Sequence, residues 1–261
     1  MFHHIHKFRS KMDSGRVCIG TGITFSDPAV TEALADSADF FWVDLEHNPT
    51  SLESMLAHLI AARAGGVPAI VRIPSNDVGW IKRVLDSGAE GIILPQAKSA
   101  AEIREFVSAC HYPPDGTRGF GPRRPTNYGR AGGRSYLDLA NEELFVVAQI
   151  ETVSALSEID EIVAIRGLRS VVMGPSDLSG SMGMLGDVHH PAVREAIRKV
   201  AATARAAGLY VGIGMGADQK HALEAAELGV QWIQCGNDYN LMIRAADDLY
   251  ASIRQSLAQR G

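Results

Sequence analysis

The feature that most constrains the fold is an eightfold alternation of short apolar runs with Ala-rich stretches of helical spacing. The apolar runs are VCIGTGI (17–23), FFWVDL (40–45), PAIVRI (68–73), GIILP (91–95), LFVVAQIE (144–151), RSVVMG (169–174), LYVGIG (209–214) and VQWIQCG (230–236). A strand with one wet face alternates apolar and polar residues. These runs are continuous, as in a parallel sheet covered on both faces. Between them, Leu52, Met55, Leu56, Leu59 and Ile60 recur at helical spacing, and Pro28 sits where a helix prefers to begin. The spacing predicts helices over 77–87, 99–109, 152–164, 191–207, 217–228 and 238–258, with a long loop at 111–140.

Eight such units in 261 residues predict an α/β fold, a (β/α)₈ barrel. A doubly wound open sheet is the competing architecture, but its glycine-rich first turn is poorly matched by GTGITFSD. There is no internal repeat or low-complexity linker, so residues 17–261 read as one barrel domain. Residues 1–16, polar, basic and His-rich, read as a disordered tail in which His3, His4 and His6 bind metal only adventitiously.

A net charge of -5 and a pI near 6.0 give no electrostatic basis for binding nucleic acid or anionic lipid. No window approaches the roughly 18 apolar residues of a membrane span. Cys18, Cys110 and Cys235 match neither a disulfide frame nor a zinc pattern, and suit a reducing cytoplasm.

In a barrel, chemistry gathers where the strands end. Those positions hold Asp44, Glu46 and His47, then Arg72, then Gln149 and Glu151, then Ser176 and Asp177. Glu151 and Asp177 can converge on one hard cation, and oxygen ligands suit Mg²⁺ or Mn²⁺. Arg72 offers a planar fork for a carboxylate or a developing oxyanion. Glu46 reads as a second base, a helix cap or a partner of metal-bound water. His58, His111 and His221 read as packing or solvated residues, and His189-His190 as a cap before Pro191. VGIGMGAD is a weak phosphate-loop pattern. Arg118, Arg123, Arg124, Arg130 and Arg134 make the 111–140 loop either a subunit interface or a lid for an anionic substrate tail.

WVDLEHNPTS, VRIP, VLDSGAEGIILP, YPPDGTRGFGP, QIET and GPSDLSGSMG resemble, in order, the motifs of the HpcH/HpaI family of class II pyruvate aldolases. The resemblance runs from about residue 17 to the last helix. It implies a metal-dependent barrel enzyme that cleaves 2-keto-4-hydroxy acids to pyruvate, or a close 2-keto acid, and an aldehyde. It further implies metal ligation by Glu151 and Asp177, with Mg²⁺, Mn²⁺ or Co²⁺ as the ion. Pyruvate binding falls to Arg72, Gln149 and the backbone around Ser176. His47 becomes the base, oriented by Asp44 and by Asp86 across a subunit contact. The family's assembly, a homohexamer built as a trimer of dimers with the last helix exchanged, is implied as well. PRRPTNYGR departs from the heptanedioate and glucarate enzymes and leaves the aldehyde open. Rival functions are a Schiff-base aldolase, for which Lys98 is the one lysine near the rim, a malyl- or citryl-type CoA-ester lyase, and a non-catalytic binder of 2-keto acids.

Overall fold

A computed structural model describes residues 2–259. Helix α1 (His3–Asp13) precedes β1 (Cys18–Ile23), α2 (Ala29–Leu34), β2 (Phe41–Asp44), α3 (Leu52–Ala64), β3 (Ala69–Arg72), α4 (Val78–Asp86), β4 (Gly91–Leu94) and α5 (Ala100–Cys110). Then come α6 (Arg134–Glu143), β5 (Phe145–Ile150), α7 (Val153–Ser157), α8 (Ile159–Val163), β6 (Ser170–Met173) and α9 (Pro175–Ser181). The chain closes with α10 (Pro191–Ala206), β7 (Tyr210–Met215), α11 (Gln219–Glu227), β8 (Trp232–Asn237) and α12 (Asp238–Ala258). The eight strands pair in parallel in chain order, and β8 closes onto β1, so the expected (β/α)₈ barrel is what forms.

Local chemistry fixes where each helix starts after its strand. Ser51, Asp77, Ser99, Thr152 and Asp218 are extended, and each side chain accepts an N–H from the first turn of the helix it precedes. Such caps satisfy donors that have no partner inside the helix, and each contributes about 1 kcal/mol. The rim is therefore reset to a defined geometry after most strands.

Three stretches depart from the sequence expectation. Residues 3–13, expected within the disordered tail, form α1, with Ile5, Phe8 and Met12 buried. Phe8 packs against Phe40, Phe145 and Trp232 at ring-centroid distances of 5.3, 5.6 and 6.4 Å. Burying one such ring is worth roughly 1.5–3 kcal/mol, which a polar composition average conceals. The 111–140 loop carries the start of α6. The helix expected over 152–164 is two helices, because Glu158 leaves helical dihedrals and its carboxylate accepts the Ala100 N–H at 2.7 Å.

Candidate active site

Parallel pairing puts the strand ends at one rim. Asp44 and Arg72 are register partners at the ends of β2 and β3, and Arg72 Nε donates to Asp44 Oδ1 at 2.8 Å. Asp44 also accepts the Glu46 N–H at 3.1 Å and the Asn48 amide at 2.6 Å, tying down the turn after β2. Burial alone would lower the Arg72 pKa. The hydrogen bond and charge of Asp44, with Glu46 and Glu151, reverse that and hold the guanidinium protonated.

Glu46 stands between Arg72 and His47: its Oε2 lies 3.0 Å from Arg72 Nη1 and 3.4 Å from His47 Nε2. Neither contact is an aligned hydrogen bond, and this buried oxygen has no donor of its own among the described residues. Burial pushes the Glu46 carboxyl up to about 7, Arg72 opposes the rise, and Asp44 and Asp177 add to it. The resemblance implied that Asp44 orients His47. The structure gives Asp44 to Arg72 and places Glu46 beside His47, whose ring is exposed.

Glu151, just past β5, is 1% exposed and densely held. Its Oε1 accepts the Gln96 N–H at 2.6 Å, and its Oε2 accepts the Gln149 amide at 2.5 Å. Gly174 makes room for this pair, because a Cβ there would stand 2.5 Å from Glu151 Oε2 and 2.8 Å from Gln149 Nε2. Burial pushes the Glu151 carboxyl up to about 7; the Gln96 N–H and Arg72 oppose that, and the Asp177 and Glu46 carboxylates reinforce it. Ser176 and Asp177 lie in the first turn of α9, and their N–H groups have no acceptor among the described residues.

Asp44, His47, Arg72, Gln149, Ser176 and Asp177 line one cavity of about 590 Å³. Asp86 does not join them. It ends α4, just ahead of β4, so within its own chain it stands where strands begin, and it pairs there with Arg118 at 2.7 Å. The Arg-rich loop follows α5 and precedes β5, and therefore lies at that same far end. Arg124 donates to Ser87 O and Leu59 O at 3.1 and 3.3 Å, so the loop packs under its own barrel and does not cover its own rim. Lys98 is exposed and does not line the cavity, which removes the Schiff-base candidate. His190 caps α10 as expected, accepting the Ala192 N–H at 3.1 Å. Sequence reasoning missed Gln96, Asn48, Gln234 and Asn237. Gln96 acts through its backbone, and uncharged amides carry no motif.

The donor set at the rim fits a divalent cation. The charge of Asp177 raises the pKa of both Glu46 and Glu151, Glu46 adds to the rise at Glu151, Arg72 opposes it at both, and a hard cation would relieve that repulsion. Gln149 Oε1 is also buried without a partner. Among the described residues no cluster of three or more His, Cys, Asp or Glu side chains is poised to hold a metal, so any ion would rest on fewer side-chain ligands of these types.

The chain is 34% identical over 253 residues to the hydroxypyruvate/pyruvate aldolase of Roseovarius nubinhibens, covering 97% of this chain and 95% of that one. It is 36% identical over 247 residues to the 4-hydroxy-2-oxo-heptane-1,7-dioate aldolase of Salmonella typhimurium, covering 94% and 93%. The crystal structure of an HpcH/HpaI aldolase from Desulfitobacterium hafniense superposes with a TM-score of 0.88 at 32% identity, covering 94% and 96%. Barrel, rim and relatives together define a carbon–carbon lyase. The model of the HpcH/HpaI aldolase/citrate lyase family matches residues 24–245, and the chain belongs to that family.

Proposed function

We propose that this protein is a class II aldolase that reversibly cleaves a 2-keto-4-hydroxy acid to pyruvate, or a close 2-keto acid such as hydroxypyruvate, and an aldehyde. The observation that carries this reading is the Asp44-anchored Arg72 guanidinium, lining one cavity with Asp177 and with Gln149, whose amide donates to the buried Glu151. Glu151 and Asp177 would hold a divalent ion, Mg²⁺, Mn²⁺ or Co²⁺, which when bound supplies a Lewis acid for the keto acid's oxygens.

Arg72, pre-oriented through its Nε, presents its Nη groups to the substrate carboxylate or to the keto oxygen as charge builds there. Gln149 and the free N–H groups of Ser176 and Asp177 supply further hydrogen bonds to the same fragment. His47 removes the proton of the C4 hydroxyl, the C3–C4 bond breaks, and its electron pair moves into the keto group as an enolate. Return of a proton to C3 gives pyruvate, and C4 leaves as the aldehyde. Imidazole has the pKa for that exchange near neutrality.

A second copy of the chain completes this reading. Of the 21 residues of α12 only Asp238 is buried, while Met242, Ile243, Leu249, Tyr250, Ile253 and Leu257 are exposed. Docking of α12 on a neighbour, in a homohexamer built as a trimer of dimers, would cover that face and is the route by which a neighbour's Asp86 reaches His47. Free, largely buried thiols favour a reducing compartment, and the cytoplasm is the proposed location.

The test is pyruvate release from 2-keto-4-hydroxy acids, coupled to lactate dehydrogenase, before and after chelation. Turnover that vanishes on chelation and returns with Mg²⁺, Mn²⁺ or Co²⁺ is expected; full turnover after exhaustive chelation would overturn the reading.

A further inference from the structure

The rim cavity has two chemically different walls. From β2 to α9 the lining holds the ionic and imidazole side chains Asp44, His47, Arg72 and Asp177, set among the neutral Trp42, Asn48, Gln149 and Ser176. From β7, β8 and the start of α12 come glycines, one methionine and neutral polar groups: Gly214, Met215, Gln234, Asn237, Tyr239 and Asn240. No charged side chain from those three elements lines the cavity among the described residues. Asp238 is engaged with the N–H groups of Thr24 and Phe25, and Arg244, the next cation along α12, donates to Ala217 O at 3.2 Å.

The neutral wall is held in place by its own bonds. Gln234 Nε2 donates to Gly236 O at 2.6 Å and to Asn237 Oδ1 at 3.1 Å, which fixes the amide. Asn237 N–H donates to Asn240 Oδ1 at 3.1 Å, and Asn237 Nδ2 approaches Tyr239 Oη at 3.4 Å. Gly22 on β1 leaves the room that this arrangement occupies, since a Cβ there would collide with Asn237 Oδ1. The donors of Gln234 are thus committed, while its Oε1 has no donor among the described residues and faces Gly214, where a Cβ would lie 3.3 Å away. Gln234 lines the cavity, so this acceptor is available to a substrate hydroxyl.

If the keto acid sits on the ionic wall, the carbon that forms the new bond faces the remaining space. The aldehyde carbon must come within about 3–3.5 Å of it, so the aldehyde's tail falls on the amide wall. We propose that Gln234, with Asn237 and Tyr239, selects the acceptor, and that the acceptor is a short, neutral, hydroxylated aldehyde. This assignment rests on the aldolase reading above. Within one chain this wall offers no cation to an ω-carboxylated aldehyde, and an alkyl aldehyde gives Oε1 no partner.

Condensation with pyruvate and a divalent ion would be compared for glycolaldehyde, glyceraldehyde, propanal and succinic semialdehyde, as ratios of kcat/KM. Ratios on one sample do not depend on its active fraction, so a poorly folding variant still reports. Glycolaldehyde should exceed propanal and succinic semialdehyde by about tenfold or more, and Gln234→Leu should bring glycolaldehyde and propanal within about threefold. Asn237→Asp, which keeps an oxygen at the start of α12 but removes the amide donors, should shrink the same ratio. Deuterium uptake at C3 of pyruvate, measured without aldehyde, tests enolate formation separately. Uptake with no preference for hydroxylated aldehydes, with a preference for succinic semialdehyde, or with an unchanged ratio in Gln234→Leu would overturn the acceptor assignment alone. Absence of uptake would overturn the aldolase reading, and this assignment with it.

Discussion

Arg72 and Asp44 meet at the last rung of the β2–β3 pairing, where a 2.8 Å bond from Nε leaves the two Nη groups of the guanidinium for other partners. Asp44 thereby orients the arginine. Asp44→Asn should raise KM for the 2-keto acid and lower kcat/KM by roughly 10–10², since a charge-assisted bond contributes about 1.5–3 kcal/mol. The pH–rate limb belonging to His47 should keep its position. A displaced limb with unchanged KM would instead make Asp44 the partner of His47.

The metal and proton roles separate by substitution. Glu151→Ala and Asp177→Ala should lose metal affinity and turnover together. His47→Ala should still bind metal and pyruvate while cleavage slows by roughly 10²–10⁴. Calorimetric titration beside cleavage kinetics decides the matter. Loss of metal in His47→Ala, or near-normal turnover, would shift the role of base to Glu46, whose carboxyl burial already pushes up to about 7.

Gly174 has a backbone any residue could adopt, but no space for a side chain beside Glu151. Gly174→Ala should push the Glu151–Gln149 pair out of place and reduce metal affinity, with a change in melting temperature of only a few degrees. Isothermal titration with Mn²⁺ and a thermal scan of the same samples would check this.

At the other end of the barrel, Glu90 accepts the Ile5 N–H at 2.9 Å in the first turn of α1, and burial pushes its carboxyl from the ordinary 4.5 up to about 7. Its folded pKa lies above its unfolded one, so the folded state retains a proton that the unfolded chain releases. This contribution is full below about pH 4.5 and is lost as pH rises to about 7. Glu90→Gln, which keeps an acceptor for Ile5, should therefore gain on wild type by roughly 1–3 kcal/mol as pH rises from 4.5 to 8. Denaturant titrations at the two pH values measure that difference, and parallel curves would refute it.

The proposed assembly divides one site between two chains. Aspartate at Leu249 and Ile253 should prevent docking of α12 and give smaller particles by light scattering. Mixing His47→Ala chains with Asp86→Ala chains should recover part of the activity each lacks, because some mixed interfaces carry both intact residues. No recovery after verified subunit exchange would remove Asp86 from the site.

The barrel was legible because strand burial is a property of consecutive residues: FFWVDL and LFVVAQIE have no polar alternation to suggest a second reading. The charged rim was legible for a related reason, since carboxylates and an arginine closing apolar runs have few structural roles there. Helix α1 was not, because Ile5, Phe8 and Met12 are spaced along one face among histidines, lysines and arginines that dominate the average. The contact between Asp44 and Arg72 was not legible, because it arises from strand register, which pairs residues 28 positions apart, whereas the resemblance had implied Asp44 only as the orienter of His47. The amide wall was invisible because Gln234 and Asn237 take their meaning from Gly22, more than two hundred residues away.

Gln96 holds Glu151 through its backbone N–H while its own backbone is left-handed, at φ 52°. For anyone building variant libraries this position behaves unlike the rest of the pocket. Exchanging its side chain leaves the bond to Glu151 intact, and glycine or asparagine should even relax the turn. Only proline deletes the donor. A saturation screen at position 96 should therefore look permissive except at proline and, through backbone strain, at β-branched residues, and a residue chosen by side-chain sensitivity would be passed over although it sets the aim of the carboxylate on which the metal reading depends.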